Sequence, residues 1–490
     1  MPSSGLGAYQ VKIHQLVFGG LVMAMALLGV RSLAVGNVTN IKMLGALSIV
    51  AAGFFALDKY YWLACPFLMV IPFSIPGLPF GSGELGRLLL VGVFFVRAAL
   101  KRESARAFPK EILIAFPYFF WVAAIFLLNP TGMNILGSGT IGGRFYFKVA
   151  LGFVTMLTFS KITISEQDAR YWVYMLIMAS LFRFLMALSG FVTLEFGEDS
   201  SKYFLIPACP LLLILLCRYD LNQIFSLSWR FPASVLLALA VAYSGKRSSM
   251  GQVFLAPFIL VFLRKREKGL LLLSVFIGAS LLAFVIAGHG QLYELPFSVQ
   301  RSLSFLPGKW DRSLENFGMN DLFREELHDR AKAEIRRSPW VGNKGYTINR
   351  EQVSWAITQM SRDGYGGHAM VGNWHNKFYG MGADFGLPAS IFWYFFAGLA
   401  VWYCVRNRRF LVLSGYRRSL FLYYSLYMFY DLFFAFGHSA LTPYEQWTYF
   451  GFIVALVRCA RDEAMKNSFP RIPQSNVAAM VDDHDIPVVV

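Results

Sequence analysis

The sequence predicts an all-α polytopic membrane protein of about fourteen transmembrane helices, with one large, partly helical loop on the outer side. Three observations carry the prediction. Hydrophobic residues fill 56% of the 490 positions and charged residues only 15%, too few to cover a soluble body of this length. The apolar residues stand in long runs rather than in amphipathic stripes. Lys and Arg (45) exceed Asp and Glu (29), and the surplus gathers in short segments between those runs. This is the positive-inside pattern of a membrane protein and not the mark of a nucleic-acid partner.

Apolar runs of roughly 17 to 25 residues, each able to span a bilayer, centre near residues 25, 48, 68, 92, 119, 153, 182, 209, 237, 257, 279, 395, 428 and 453. Gly, Pro and polar breaks mark the turns. The first run, about Leu16 to Ala34, reads as a span and not a cleaved leader, since no small-residue cleavage site precedes a soluble body. The resulting division is spans one to eleven in 1–289, the large loop in 290–385, spans twelve to fourteen in 386–460, and a polar, Pro- and Asp-containing tail in 461–490 that is expected to be disordered.

Orientation follows from the cations. With the N-terminus inside, the basic segments Arg97–Lys110, Arg264–Lys268, Arg406–Arg418 and the tail from Arg458 are cytoplasmic. The short outer loops Gly36–Asn40, Gly77–Glu84, Asn129–Gly143, Leu194–Ser201 and Gly437–Gln446 contain no Lys or Arg. Residues 290–385 also fall outside, and a loop of that length in a compact protein is usually functional. Within it Asn320-Asp321 can cap a helix in which Leu322, Phe323, Leu327, Ala331 and Ile335 line one face before Pro339 ends it.

Cations on the outer side run against the rule and point to an anionic ligand. Lys246 and Arg247 lie in the very short turn Ser244–Ser249, Arg144 begins a span with Lys148 one turn deeper, and Arg324 lies in the loop helix. Guanidinium groups match phosphate oxygens bidentately. Arg144 and Lys148 fit snorkelling to lipid phosphates equally well. Arg31, Arg87, Arg183 and Asp431 fall within apolar runs, where charges face the bundle interior. Arg183 with Asp431 reads as a structural pair rather than a catalytic one. The five cysteines, Cys65, Cys209, Cys217, Cys404 and Cys459, show no pairing or zinc-ligand spacing. His328, His368 and His375 are irregularly spaced, which argues against zinc. His375 stands in Gly372-Asn373-Trp374-His375-Asn376, just ahead of a span and so at head-group depth.

This last segment resembles the O-antigen ligase and polymerase superfamily. The family hallmark is His, then Asn, Ser or Gln, nine residues, then Gly-x-x-Gly/Thr/Tyr. Here it reads His375-Asn376, nine residues, Gly386-Leu387-Pro388-Ala389, departing at Ala389. The family's upstream Arg, helix and Pro-x-x-Gly-x-Gly are matched by Arg324 and Pro339-Trp340-Val341-Gly342-Asn343-Lys344-Gly345, with the final glycine one residue late. A second family Arg is matched loosely by Lys246-Arg247-Ser248-Ser249-Met250-Gly251. The motifs cover about residues 244–400; the spans before them fit by hydropathy and order alone.

The resemblance implies a GT-C-type membrane glycosyltransferase of the bacterial inner membrane. It would take glycans from undecaprenyl pyrophosphate at the periplasmic face, with no metal or other cofactor. His375, whose unperturbed pKa lies near neutrality, is then the expected base. Arg324 and Arg247 would hold the pyrophosphate as its charge grows. Asn376 would orient the acceptor or brace the loop, and Lys246, Arg144, Lys148 and Gly386 complete the expected substrate-binding set. The acceptor is either lipid A core, for a ligase, or another glycan repeat, for a polymerase. Two other readings stand beside this one: a lipid-linked oligosaccharide flippase, which also commonly has about fourteen spans, and a scaffold in an export complex.

The topology is testable by labelling single cysteines with an impermeant thiol reagent. A cysteine at Asn316 is expected to label in whole cells and one within 406–418 is not; the reverse pattern would invert the orientation.

Overall fold

In the computed structural model the described residues are 62, 68–69, 82–99, 108–128, 143–188, 205, 207–226, 228–244, 246–264, 268–304, 306–311, 319–343, 374, 376–411, 415–434 and 443–468. Among them every extended element is helical, and no strand ladder occurs. The longer helices are α1 (Ser82–Ala99), α2 (Phe116–Leu128, led in by a 3-10 stretch, Lys110–Ala115), α3 (Gly143–Lys161), α4 (Glu166–Leu188), α5 (Ala208–Arg218), α6 (Arg230–Tyr243) and α7 (Arg247–Arg264). They continue as α8 (Lys268–Gly288), α9 (Phe297–Leu303), α10 (Met319–Arg337), α11 (Lys377–Phe385), α12 (Leu387–Asn407), α13 (Gly415–Phe434) and α14 (Pro443–Ser468).

Every expected span centre from residue 92 onward lies in one of these helices, while those near 25 and 48 lie outside the described residues. Two helical stretches, Lys110–Leu128 and Leu387–Asn407, are long and apolar enough to cross a membrane. Of the others, α5 and α6 are apolar but have only 11 and 14 residues, and α3 and α4 carry charges within the run. Large apolar side chains stand exposed on the outside of the bundle, among them Leu127 and Leu128 on α2, Leu236 and Leu239 on α6, and Leu272, Phe276 and Phe284 on α8. So much apolar surface facing outward is unfavourable in water.

The centre of the bundle is α13, which packs against α4, α5, α7, α12 and α14. Nearly all of its residues from Ser419 to Asp431 are buried. Trp172 of α4 stacks at 4.4 Å on Phe452 of α14 and donates its indole N–H to the Tyr424 hydroxyl of α13 at 2.8 Å, tying three helices at one point. Among the described residues the most extensive helix contact is that of α3 with α14. Glycines permit that approach: a Cβ on Gly451 would lie 2.5 Å from the Met156 carbonyl oxygen, and one on Gly152 would lie 2.3 Å from Cβ of Tyr444. Small residues at such contacts let backbones meet where lipid offers no hydrophobic driving force of its own.

Much of the basic surplus expected on the cytoplasmic side is engaged within the protein. Arg417 reaches Glu463 at 2.7 Å and Glu166 at 3.4 Å, and the Tyr416 backbone N–H also donates to Glu166. Asp220 takes Arg418 at 2.7 Å and Arg264 at 3.4 Å, and Arg461 takes Glu111 at 3.2 Å. These pairs extend order into the expected tail: α14 runs to Ser468, past 461, because Arg461 and Glu463 are held by neighbouring helices.

Gly451→Ala is expected to lower the thermal midpoint of the detergent-purified protein through overpacking, at a cost of about 1–3 kcal/mol. Gly92→Ala, where nothing lies within 4 Å of the added methyl, should not lower it.

Candidate functional site

The loop helix α10 forms on the face read from the sequence. Leu327 and Ala331 are fully buried. Ala331 packs with Trp374 and Ala383, and Ile335 and Tyr379 cover the same cluster. The partner is α11, the short helix that opens one residue after the His-Asn pair. The His328 ring lies 5.6 Å from that of Tyr379. Arg324 lies one turn before His328 in α10, and its side chain lies outside the described residues.

Beyond α10 the chain turns sharply and docks on the α11–α12 junction. The Gly342 N–H donates to the Ser338 carbonyl at 3.0 Å, and Gly342 takes the left-handed φ of 60°. The Asn343 N–H then donates to the Ala383 carbonyl, and the Leu387 N–H to the Pro339 carbonyl, both at 2.8 Å. At the junction Gly386 has φ 84°, and a Cβ there would lie 2.0 Å from the Trp340 carbonyl oxygen. Only glycine meets both demands. Pro339-x-x-Gly342 and Gly386, which belong to separate motifs in the sequence, are thus in direct contact. Gly386 serves here in backbone packing.

The chain around the His-Asn pair is fixed by buried polar contacts. Trp374 is buried and donates its indole N–H to Asp384 at 3.0 Å. Asn376 caps α11, its side-chain oxygen accepting the Tyr379 N–H at 3.0 Å. That is the bracing role, and it satisfies one of the orphan donors of the first turn. Lys377 points inward to Asp431 of α13, its ammonium 2.9 and 3.0 Å from the two carboxylate oxygens and 3.9 Å from the centre of the Trp393 ring. The Trp393 indole in turn donates to Gln446 at 2.7 Å. The expected Arg183–Asp431 pair is therefore corrected: Asp431 receives Lys377, because α11 folds its first residue back onto α13. His375 and His368 lie outside the described residues.

The other cations singled out from the sequence sit elsewhere on the bundle. Arg247 donates to the Arg301 carbonyl at 3.2 Å, and Ser302 donates to the Ala242 carbonyl at 2.6 Å, so α9 covers the turn between α6 and α7. Lys246 is exposed at that turn. Lys148 is 2.7 Å from Glu84, beside Arg87, which donates to Thr448 at 3.3 Å. Both cations face the Tyr444 ring. The structure thus gives Lys148 a protein carboxylate, a partner that depends on how α1 lies against α3 and not on any local spacing. Arg144 is placed at the start of α3, with its side chain outside the described residues.

Sequence reasoning missed Lys377, Asp384 and Trp374 as organising residues. Their only local signal is that they flank and fill the nine-residue spacing after His375. No family model matches this chain, and no curated protein matches it.

Asp431→Asn would leave a buried ammonium without its counter-charge, since the two side chains are 4% and 0% exposed. Breaking such a pair from one side costs about 3–5 kcal/mol, whereas replacing both members by apolar residues is often neutral. The thermal midpoint should fall sharply in Asp431→Asn and recover in the double variant Lys377→Met/Asp431→Leu.

Proposed function

We propose that this chain is a membrane glycosyltransferase of the O-antigen ligase and polymerase superfamily. In this reading it sits in the bacterial inner membrane with about fourteen spans and moves a glycan from undecaprenyl pyrophosphate to an acceptor hydroxyl at the periplasmic face. The observation that carries the reading is the contact between the motif segments. The turn Pro339–Gly342 docks on Gly386 through a contact that requires glycine, and the helix carrying Arg324 packs on the helix that begins beside His375-Asn376. Motifs recognised separately by their spacing belong to one structural unit. The apolar outer face of the bundle suits a polyprenyl donor that arrives through the bilayer.

The chemistry asks for a base, a nucleophile and a stabilised leaving group. His375 takes the proton of the acceptor hydroxyl, whose oxygen attacks C1 of the donor sugar. The bond from C1 to the pyrophosphate oxygen breaks, and the bonding pair leaves on the pyrophosphate. Arg324 and Arg247 are the guanidinium groups proposed to take up that charge. Asn376, Lys246 and Arg144 remain in the proposed substrate-binding set, with Lys148 the least free of them to change partners. Ligase and polymerase differ only in the acceptor, either lipid A core or another repeat unit.

Purified protein given an undecaprenyl-pyrophosphate-linked glycan and an acceptor tests the reading. His375→Ala should abolish transfer, since a placed base is worth roughly 10²- to 10⁴-fold in rate, while donor binding survives. Arg324→Lys should lose most of the rate, because a point charge does not reproduce the bidentate fork. Transfer should persist in excess chelator. Near-normal turnover by His375→Ala would overturn the mechanism, and a requirement for added Mg²⁺ or Mn²⁺ would overturn its metal independence.

A further inference from the structure

Asp384 is a carboxylate with no place in the chemistry above, yet it is only 6% exposed. Its cost in such surroundings must be met by hydrogen bonds. One donor is the Trp374 indole, at 3.0 Å. The indole is itself 4% exposed and lies in the small core between α10 and α11, with Ala331 and Ala383. Gly380 leaves room for it: a Cβ there would lie 3.1 Å from Cδ1 of the ring. The backbone of Asp384 is fixed as well, since a Cβ on Gly342 would lie 2.5 Å from its carbonyl carbon. Two buried phenols, Tyr118 and Tyr146, lie within range of its charge. Asp384 is thus a buried acceptor whose backbone is packed against the turn at Gly342 and whose side chain takes the Trp374 indole.

What it holds is the residue immediately before His375. On the other side Asn376 is held as the cap of α11, and Lys377 by Asp431. We propose that Asp384 is a positioning residue. Its hydrogen bond to the Trp374 indole sets the chain ahead of His375 and couples that chain to the docked turn Pro339–Gly342. The inference rests on the transferase reading for its kinetic consequence, but the structural coupling it asserts can be observed without turnover.

Trp374→Phe keeps the ring in its core and removes only the N–H. It should lower kcat by about 10- to 100-fold, the effect of a misplacement near 1 Å, with KM for the lipid-linked donor unchanged and the thermal midpoint within about 3 °C of wild type. Asp384→Asn keeps an oxygen acceptor and should lose less of kcat than Trp374→Phe. In protein labelled with 13C-histidine, the imidazole resonances of His375, assigned by their loss in His375→Ala, should shift in Trp374→Phe. Wild-type kcat in Trp374→Phe with unmoved His375 resonances would overturn the proposal. So would a fall in kcat accompanied by an equal loss of thermal stability, since the bond would then serve the fold alone. Shifted resonances in a protein that transfers no glycan would support the coupling and count against the transferase reading only.

Discussion

A side chain at residue 386 would have to share space with the Trp340 carbonyl, 2.0 Å from the position of its first carbon. The packing of α10 and α11 depends on this exclusion. It lets the turn after α10 lie flat on the junction of α11 and α12, where the backbone pairs Asn343 with Ala383 and Leu387 with Pro339. The junction is also gripped from the bundle side, since the Trp121 indole donates to the Phe385 carbonyl at 2.9 Å. One non-helical residue thus joins three helices, α10, α12 and α2. A backbone with φ 84° at that residue is cheap for glycine and strained for anything else.

Charges organise the two ends of the bundle differently. At the end that carries the basic segments, the ion pairs run between helix termini and are partly exposed, Asp220 and Glu463 among them. Such pairs tolerate solvent and contribute little individually. Near the His-Asn segment the pair Lys377–Asp431 is almost wholly enclosed. There the carboxylate grips the ammonium in low-dielectric surroundings, and an aromatic face at 3.9 Å supports the cation. The arrangement suits a place where backbone position matters more than net stability.

The helices were legible from hydropathy, since a run of apolar residues fixes its own conformation wherever its neighbours lie. The buried face of α10 was legible for a similar reason: Leu327, Ala331 and Ile335 repeat at helical spacing. The motif segments were legible as a resemblance, but their contact was not, because it is made by backbone atoms across the stretch from residue 342 to 383. Pairing was the least legible feature. Asp431 had a plausible partner in Arg183, equally embedded in an apolar run, and took Lys377 instead. Lys148 looked available to a ligand and is paired with Glu84. Asp384 gave no signal, since a lone carboxylate near a span is informative only once Trp374 is seen against it.

The hydrogen bond from Asn343 to Ala383 ties together two backbone positions that stand far apart in the sequence. The entropic cost of closing a chain between two anchors grows only logarithmically with its length, about 0.6 kcal/mol for each doubling of a flexible loop. The length of chain between two such anchors is therefore a weak lever on the stability of the junction they make.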